Sequence, residues 1–161
     1  MRCSVLLAAL ISALTAVTAA GESMTAVPMY DKGFSTYYVA GRIDGYGATE
    51  FLVDTGSAYV ILTEDMLKVL KARGHARYLR ELTGVMADGS QITVPVFLIR
   101  GIHVGGDCEI RDVEATVVPH ASRLVLGLSA LRKAAPFSVS LEPPSLSLSG
   151  CGALQAQSDQ S

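Results

Sequence analysis

The sequence predicts a mostly β domain with one or two short helices, and three observations carry that prediction. Apolar runs of strand length recur along the chain, Gly- and Asp-containing turns separate them, and one stretch, near residue 64, combines a capping residue with helically spaced apolar positions. The composition agrees with a packed domain: of 161 residues half are hydrophobic, 17% are charged and the net charge is -2, which is not the profile of a disordered chain. Lys and Arg are scattered and form no basic run, so nucleic acid is not an expected partner.

Residues 1–20, MRCSVLLAALISALTAVTAA, place Arg2 ahead of an apolar run and end on Thr18, Ala19 and Ala20. An Ala-x-Ala-like site after such a run is expected to be the cleavage point of a signal peptide. The mature protein would then be exported, periplasmic or secreted, with 12 basic against 15 acidic residues once Arg2 is gone. The alternative is an uncleaved membrane anchor, which the Ala, Ser and Thr content of the run and the lack of a following basic cluster disfavour. Cys3 would leave with this segment. Cys108 and Cys151 remain, an even number suited either to one disulfide in an exported chain or to two unpaired thiols.

Residues 21–33 read as a polar leader. Tyr37–Ile43 and Ala48–Val53 flank Asp44-Gly45-Tyr46-Gly47 and form a hairpin, and Val60–Leu62 follows as a buried strand. Thr63 is placed to cap a helix over Glu64–Ala72, with Met66, Leu67 and Leu70 on one face and Gly74 near its stop. Leu82–Met86 and Gln91–Ile99 flank Ala87-Asp88-Gly89-Ser90, whose Asp-Gly step signals a second, longer hairpin. Ile102–Val104, Cys108–Ile110 and Val113–Val118 continue the β pattern; Arg123–Gly127 is a largely apolar run ending in Gly, and Leu128–Lys133 reads as a short helix. Phe137–Leu141 and Ser145–Leu148 are the last strands, before a flexible tail over residues 152–161.

The chemistry-bearing stretch is FLVDTGSAYVIL, Phe51–Leu62, which sets Asp54, Thr55, Gly56 and Ser57 between two runs that favour burial. A carboxylate there is costly unless it is hydrogen-bonded, paired or neutralised. A plain turn accounts for four turn-forming residues. Asp-x-Gly-Ser/Thr loops also bind phosphate in the sugar kinase and actin superfamily, but that fold needs several hundred residues. A metal centre has less support: His75, His103 and His120 are far apart and no HxxxH or CxxC spacing occurs.

Hydrophobic-hydrophobic-Asp-Thr-Gly-Ser, an Asp-Gly-turned hairpin about thirty residues later and an apolar run ending at Gly127 follow one another in an order that resembles the retropepsin-like aspartic proteases. The likeness spans roughly residues 35–150 and is greatest to the bacterial, exported, single-domain members. It implies that residues 34–151 form an acid-protease half-barrel carrying a flap hairpin and pairing as a two-fold dimer. By the family pattern Asp54 meets a second Asp54, the two share a proton, and they activate a water for attack on a peptide carbonyl, with no cofactor and no metal.

Further roles follow from the same resemblance. Thr55 would bond to the partner loop, Gly56 would bring its N–H to the carboxylate, and Ser57 would support the outer carboxylate oxygen. Leu126 and Gly127 would pack beneath the active loop as structural support. Val85, Met86, Ala87, Asp88 and Gly89 would form the tip of a flap that closes on an extended polypeptide substrate. One Asp-Thr-Gly occurs in the chain, so a homodimer is required; the strands around Thr36–Ala40 and Ser145–Leu148 are the expected interface. The expected activity is an exported aspartic endopeptidase, and the alternative is a non-catalytic peptide-binding or dimerisation module on the same fold.

Overall fold

The computed structural model describes residues 24–151, so the expected signal peptide and the 152–161 tail lie outside the described residues. In chain order the elements are β1 (Thr25–Asp31), β2 (Tyr37–Ile43), β3 (Gly47–Val53), β4 (Val60–Leu62), α1 (Glu64–Ala72), β5 (Ala76–Val85), β6 (Gln91–Val104), β7 (Cys108–Val117), β8 (Val125–Leu126), α2 (Leu128–Leu131), β9 (Phe137–Leu141) and β10 (Pro144–Leu148). The fold is mostly β, with two short helices.

The strands make one sheet in the order β5-β6-β7-β4-β8-β3-β2-β1-β10-β9, and a further pairing of β6 with β2 curls it on itself. Residue 41 is Gly because that closure brings two backbones together: a Cβ there would stand 2.2 Å from the His103 carbonyl oxygen. Within the segment read as a polar leader, Thr25–Asp31 form a strand, β1. Thr25–Pro28 pair with β10 and Met29–Asp31 pair with β2, so β1 bridges the terminal hairpin to the body. Val27 and Met29 are buried, and this alternation in a segment of mixed polarity is what holds the strand in place.

Two other boundaries differ from expectation. Gln91–Ile99 and Ile102–Val104 are one continuous strand, β6, and the two segments read after Cys108 merge in β7. The helix α1 lies where Thr63 predicts, its hydroxyl accepting from the Met66 N–H at 3.3 Å, with Met66 and Leu70 buried. Phe51, Ile43, Leu62, Leu70, Ile99, Ile102, Leu126, Leu131 and Leu146 are fully buried in a single core. Cys108, also buried, forms a disulfide with Cys151, which fastens the chain after β10 to the start of β7.

The expected interface strands are not edges. Tyr37–Ile43 is paired by β1, β3 and β6, and Ser145–Leu148 is paired by β1 and β9. The sheet instead ends at β5 on one side and at β9 on the other, where Val139 and Leu141 are exposed.

Candidate active site

Asp54 sits where β3 runs out and its backbone is held before its side chain does anything. β8 lies parallel beside β3, Leu52 opposite Val125 and Val53 opposite Leu126. The Leu52 N–H donates to the Leu124 carbonyl at 2.9 Å and the Asp54 N–H to the Leu126 carbonyl at 3.3 Å. The loop then turns on the Ser57 N–H, which donates to the Asp54 carbonyl at 3.3 Å, and the Gly56 N–H donates to Asp54 Oδ1 at 2.8 Å. Asp54 is half-buried while Thr55 and Gly56 are exposed, so the carboxylate stands at a rim and does not enter the core.

Beneath the loop, Gly127 is a residue that nothing larger can replace. Its φ of -94° is ordinary, but a Cβ would stand 2.1 Å from the Tyr59 carbonyl oxygen and 2.8 Å from that of Ser57. The first turn of α2 then donates upward, Leu128 N–H to Ser57 O at 2.8 Å and Ser129 N–H to Ala58 O at 2.9 Å. Leu126 is fully buried directly before this turn. Ser129, which sequence reasoning passed over as a helix residue, is a half-buried junction: its hydroxyl accepts from the Val60 N–H at 2.9 Å and donates to the Glu114 carbonyl at 2.6 Å. No local signal marks it, because both partners are distant in sequence.

The hydroxyl of Ser57 departs from its expected role. It donates to the Tyr59 carbonyl at 2.8 Å and so ties the loop to itself, leaving the carboxylate to the Gly56 N–H. The side chain of Thr55 has no hydrogen-bond partner among the described residues.

Val85, Met86, Ala87, Asp88 and Gly89 cap the β5–β6 hairpin, and all are exposed. The turn is closed by the Met86 N–H to the Ser90 carbonyl at 2.8 Å and by Asp88, whose Oδ1 accepts from both the N–H and the hydroxyl of Ser90. Those two bonds hold the Asp88 carboxyl below the usual carboxylate range. Below the tip, Thr83 and Thr93 face each other with their hydroxyls 2.9 Å apart.

The structure also brings together three groups that are separated in sequence, Asp44, His103 and Glu109, with ligand atoms within 4.8 Å of one another. Their partners are already cationic. Arg42 donates to Asp44 Oδ1 at 3.0 Å and lies 3.2 Å from His103 Nδ1, His103 Nε2 is 3.1 Å from Asp44 Oδ1, and Arg111 holds both oxygens of Glu109. A metal ion would have to displace two guanidinium groups, so the donor set fits an ion-pair network rather than a metal centre.

An Asp-Thr-Gly loop braced by a hydrophobic-Gly turn, with a hairpin rising from the same sheet, is the arrangement of a retropepsin-like aspartic protease fold. The chain belongs to the gag-polyprotein aspartyl protease family, whose model matches residues 39–133. Among solved structures, a retropepsin-like aspartic protease from Rickettsia conorii matches with a TM-score of 0.56 and 19% identity, over 78% of this chain and 91% of that one. At that identity the likeness is one of fold. No curated protein sequence matches the chain. Family and fold together support aspartic protease function.

Proposed function

We propose that the protein is an exported aspartic endopeptidase that works as a homodimer, with Asp54 of each subunit forming the catalytic dyad. The observation that carries this reading is the Asp54 loop itself: a carboxylate fixed by the Gly56 N–H on a loop that β8 and α2 hold from below, with Thr55 and Gly56 left open to solvent. Two such rims facing across a two-fold axis place the carboxylates side by side, where they cannot both ionise cheaply and so share one proton. The ionised member takes a proton from water as it attacks the peptide carbonyl, and the protonated member donates toward the carbonyl oxygen. Thr55 and Gly56 meet the partner loop, and the residue 85–89 tip closes on an extended polypeptide.

Export is supported by the signal-like residues 1–20 and by the Cys108–Cys151 disulfide, a bond that persists in oxidising compartments. Asp54→Asn should lower cleavage of an unfolded protein or peptide by more than about a hundredfold while leaving the unfolding transition in place. Undiminished cleavage by that variant sinks the catalytic assignment. Peptide binding without cleavage by the wild-type protein transfers the fold to a binding module.

A further inference from the structure

The root of the flap is organised around Arg80. Along β6 only the residues from Val96 onward are paired by β7, Val96 opposite Thr116, whereas residues 91–95 pair with β5 alone. The two-stranded flap therefore leaves the sheet at the level of Val96, and the residue opposite Val96 on β5 is Arg80. Just before that point the register shifts: Tyr78 is opposite Phe97 and Arg80 opposite the adjacent Val96. Cross-strand partners share a face and adjacent residues do not, so the extra residue, Leu79, sends Tyr78 and Arg80 to opposite faces although they are two apart. The ring of Tyr78 stays against Phe97, edge-on at 5.8 Å.

On the other face the Arg80 guanidinium reaches diagonally over β6. It donates to Glu114 Oε1 at 3.2 Å and Oε2 at 2.7 Å on β7, and to the Tyr59 hydroxyl at 3.2 Å. Tyr59 closes the Asp54 loop, since its carbonyl receives the Ser57 hydroxyl. One side chain thus joins the flap arm, the body of the sheet and the loop that carries Asp54. A planar fork is needed for this, because a Lys ammonium is a point charge on a flexible stem.

We propose that Arg80 is a positioning residue that fixes the root of the flap against the Asp54 loop and so sets the spacing between the two walls of the substrate groove. The proposal deepens the peptidase reading and rests on it for its kinetic consequence alone. Arg80 bonds neither to Asp54 nor to Gly56, whose N–H holds the Asp54 carboxylate, so its loss weakens how peptide is held more than how it is cut.

The test uses the full protein, wild type beside Arg80→Ala, Arg80→Lys and Tyr59→Phe. Steady-state kinetics on a peptide should show KM raised about fivefold in Arg80→Ala with kcat within about twofold and an unshifted pH profile. Arg80→Lys should rescue in part, and Tyr59→Phe should show a smaller rise. Amide hydrogen exchange should speed up over residues 82–95 and stay unchanged over 51–57. Wild-type KM and wild-type flap exchange in Arg80→Ala overturn the proposal, as does a fall in kcat at constant KM. Should the wild-type protein cleave nothing, the peptidase reading fails and the exchange measurement still decides: faster flap exchange supports the latch and unchanged exchange overturns it. Should Arg80→Ala not fold, Arg80→Lys and Tyr59→Phe carry the same readouts.

Discussion

The Asp54 loop and the flap are both short turns leaving β-strands, and they are built on opposite principles. The loop is held from below by backbone hydrogen bonds with Leu126, Leu128 and Ser129 and lies close against Gly127, beside the fully buried Leu126. The flap rises as a two-stranded ribbon with no third strand beyond Val96 among the described residues, and Val85 and Met86 at its tip are exposed. On the proposed function, chemistry that depends on sub-ångström placement would sit on the braced element, and the handling of a long substrate on the exposed two-stranded hairpin, the kind of element that opens most easily. Arg80 lies at the junction of the two.

The contrast predicts graded responses to substitution. The largest belongs to Gly127→Ala, because the added methyl meets backbone oxygen rather than a side chain that can move; a loss of about 3 kcal/mol or more, or failure to fold, is expected by denaturant unfolding. A change below 1 kcal/mol would show that the loop is not braced as described. Leu126→Ala removes a fully buried side chain under the same loop and should cost about 2–5 kcal/mol.

Reduction of Cys108–Cys151, which spans 43 residues, should cost about 2–4 kcal/mol, read as a lower midpoint with reductant present. The flap should respond in the reverse sense. Replacing Val85 and Met86 together by Ser should leave stability within about 0.5 kcal/mol and raise KM for a peptide. A large loss of stability there would abolish the distinction between the two regions.

The smallest effect is the dependence on pH. Glu50, Asp88, Glu109 and Glu114 all lie below the usual carboxylate range, held there chiefly by hydrogen bonds from Lys32, Ser90, Arg111 and Arg80 respectively. A carboxyl depressed in the folded state binds fewer protons there than in the unfolded chain. Its contribution is therefore complete above the ordinary carboxylate range and is lost as pH falls through about 4 and below. Urea midpoints measured from pH 6 to pH 3 should fall, modestly since these groups face solvent, and a rise on acidification would contradict the assignment. The flap turn, closed by Asp88, and its latch, closed by Glu114, loosen in the same direction.

Much of this was legible in the sequence where a feature is local. Asp-Gly turns marked both hairpins, Thr63 marked α1, and the order of Asp54, the second hairpin and Gly127 marked the family. What escaped was long-range. β1 was masked by the polar residues around Val27 and Met29, and the disulfide is a matter of which strands become neighbours. Gly101 interrupts an apolar pattern without interrupting β6. Edge strands are set by the order of the whole sheet, which is why the strands around Thr36–Ala40 and Ser145–Leu148, expected at an interface, are instead paired on both sides. Arg80 depends on a register shift that leaves no mark in composition or spacing.

The central claim is that each chain carries half of a dyad, and subunit mixing tests it most directly. Wild-type protein is titrated with an excess of the Asp54→Asn chain under conditions that allow exchange, and cleavage per wild-type subunit is followed. Shared sites predict that cleavage rises with wild-type concentration alone and falls toward zero as the variant captures wild-type subunits in pairs with a single Asp54. Activity that is proportional to wild-type protein and indifferent to excess variant would contradict the dyad and place the chemistry within one chain.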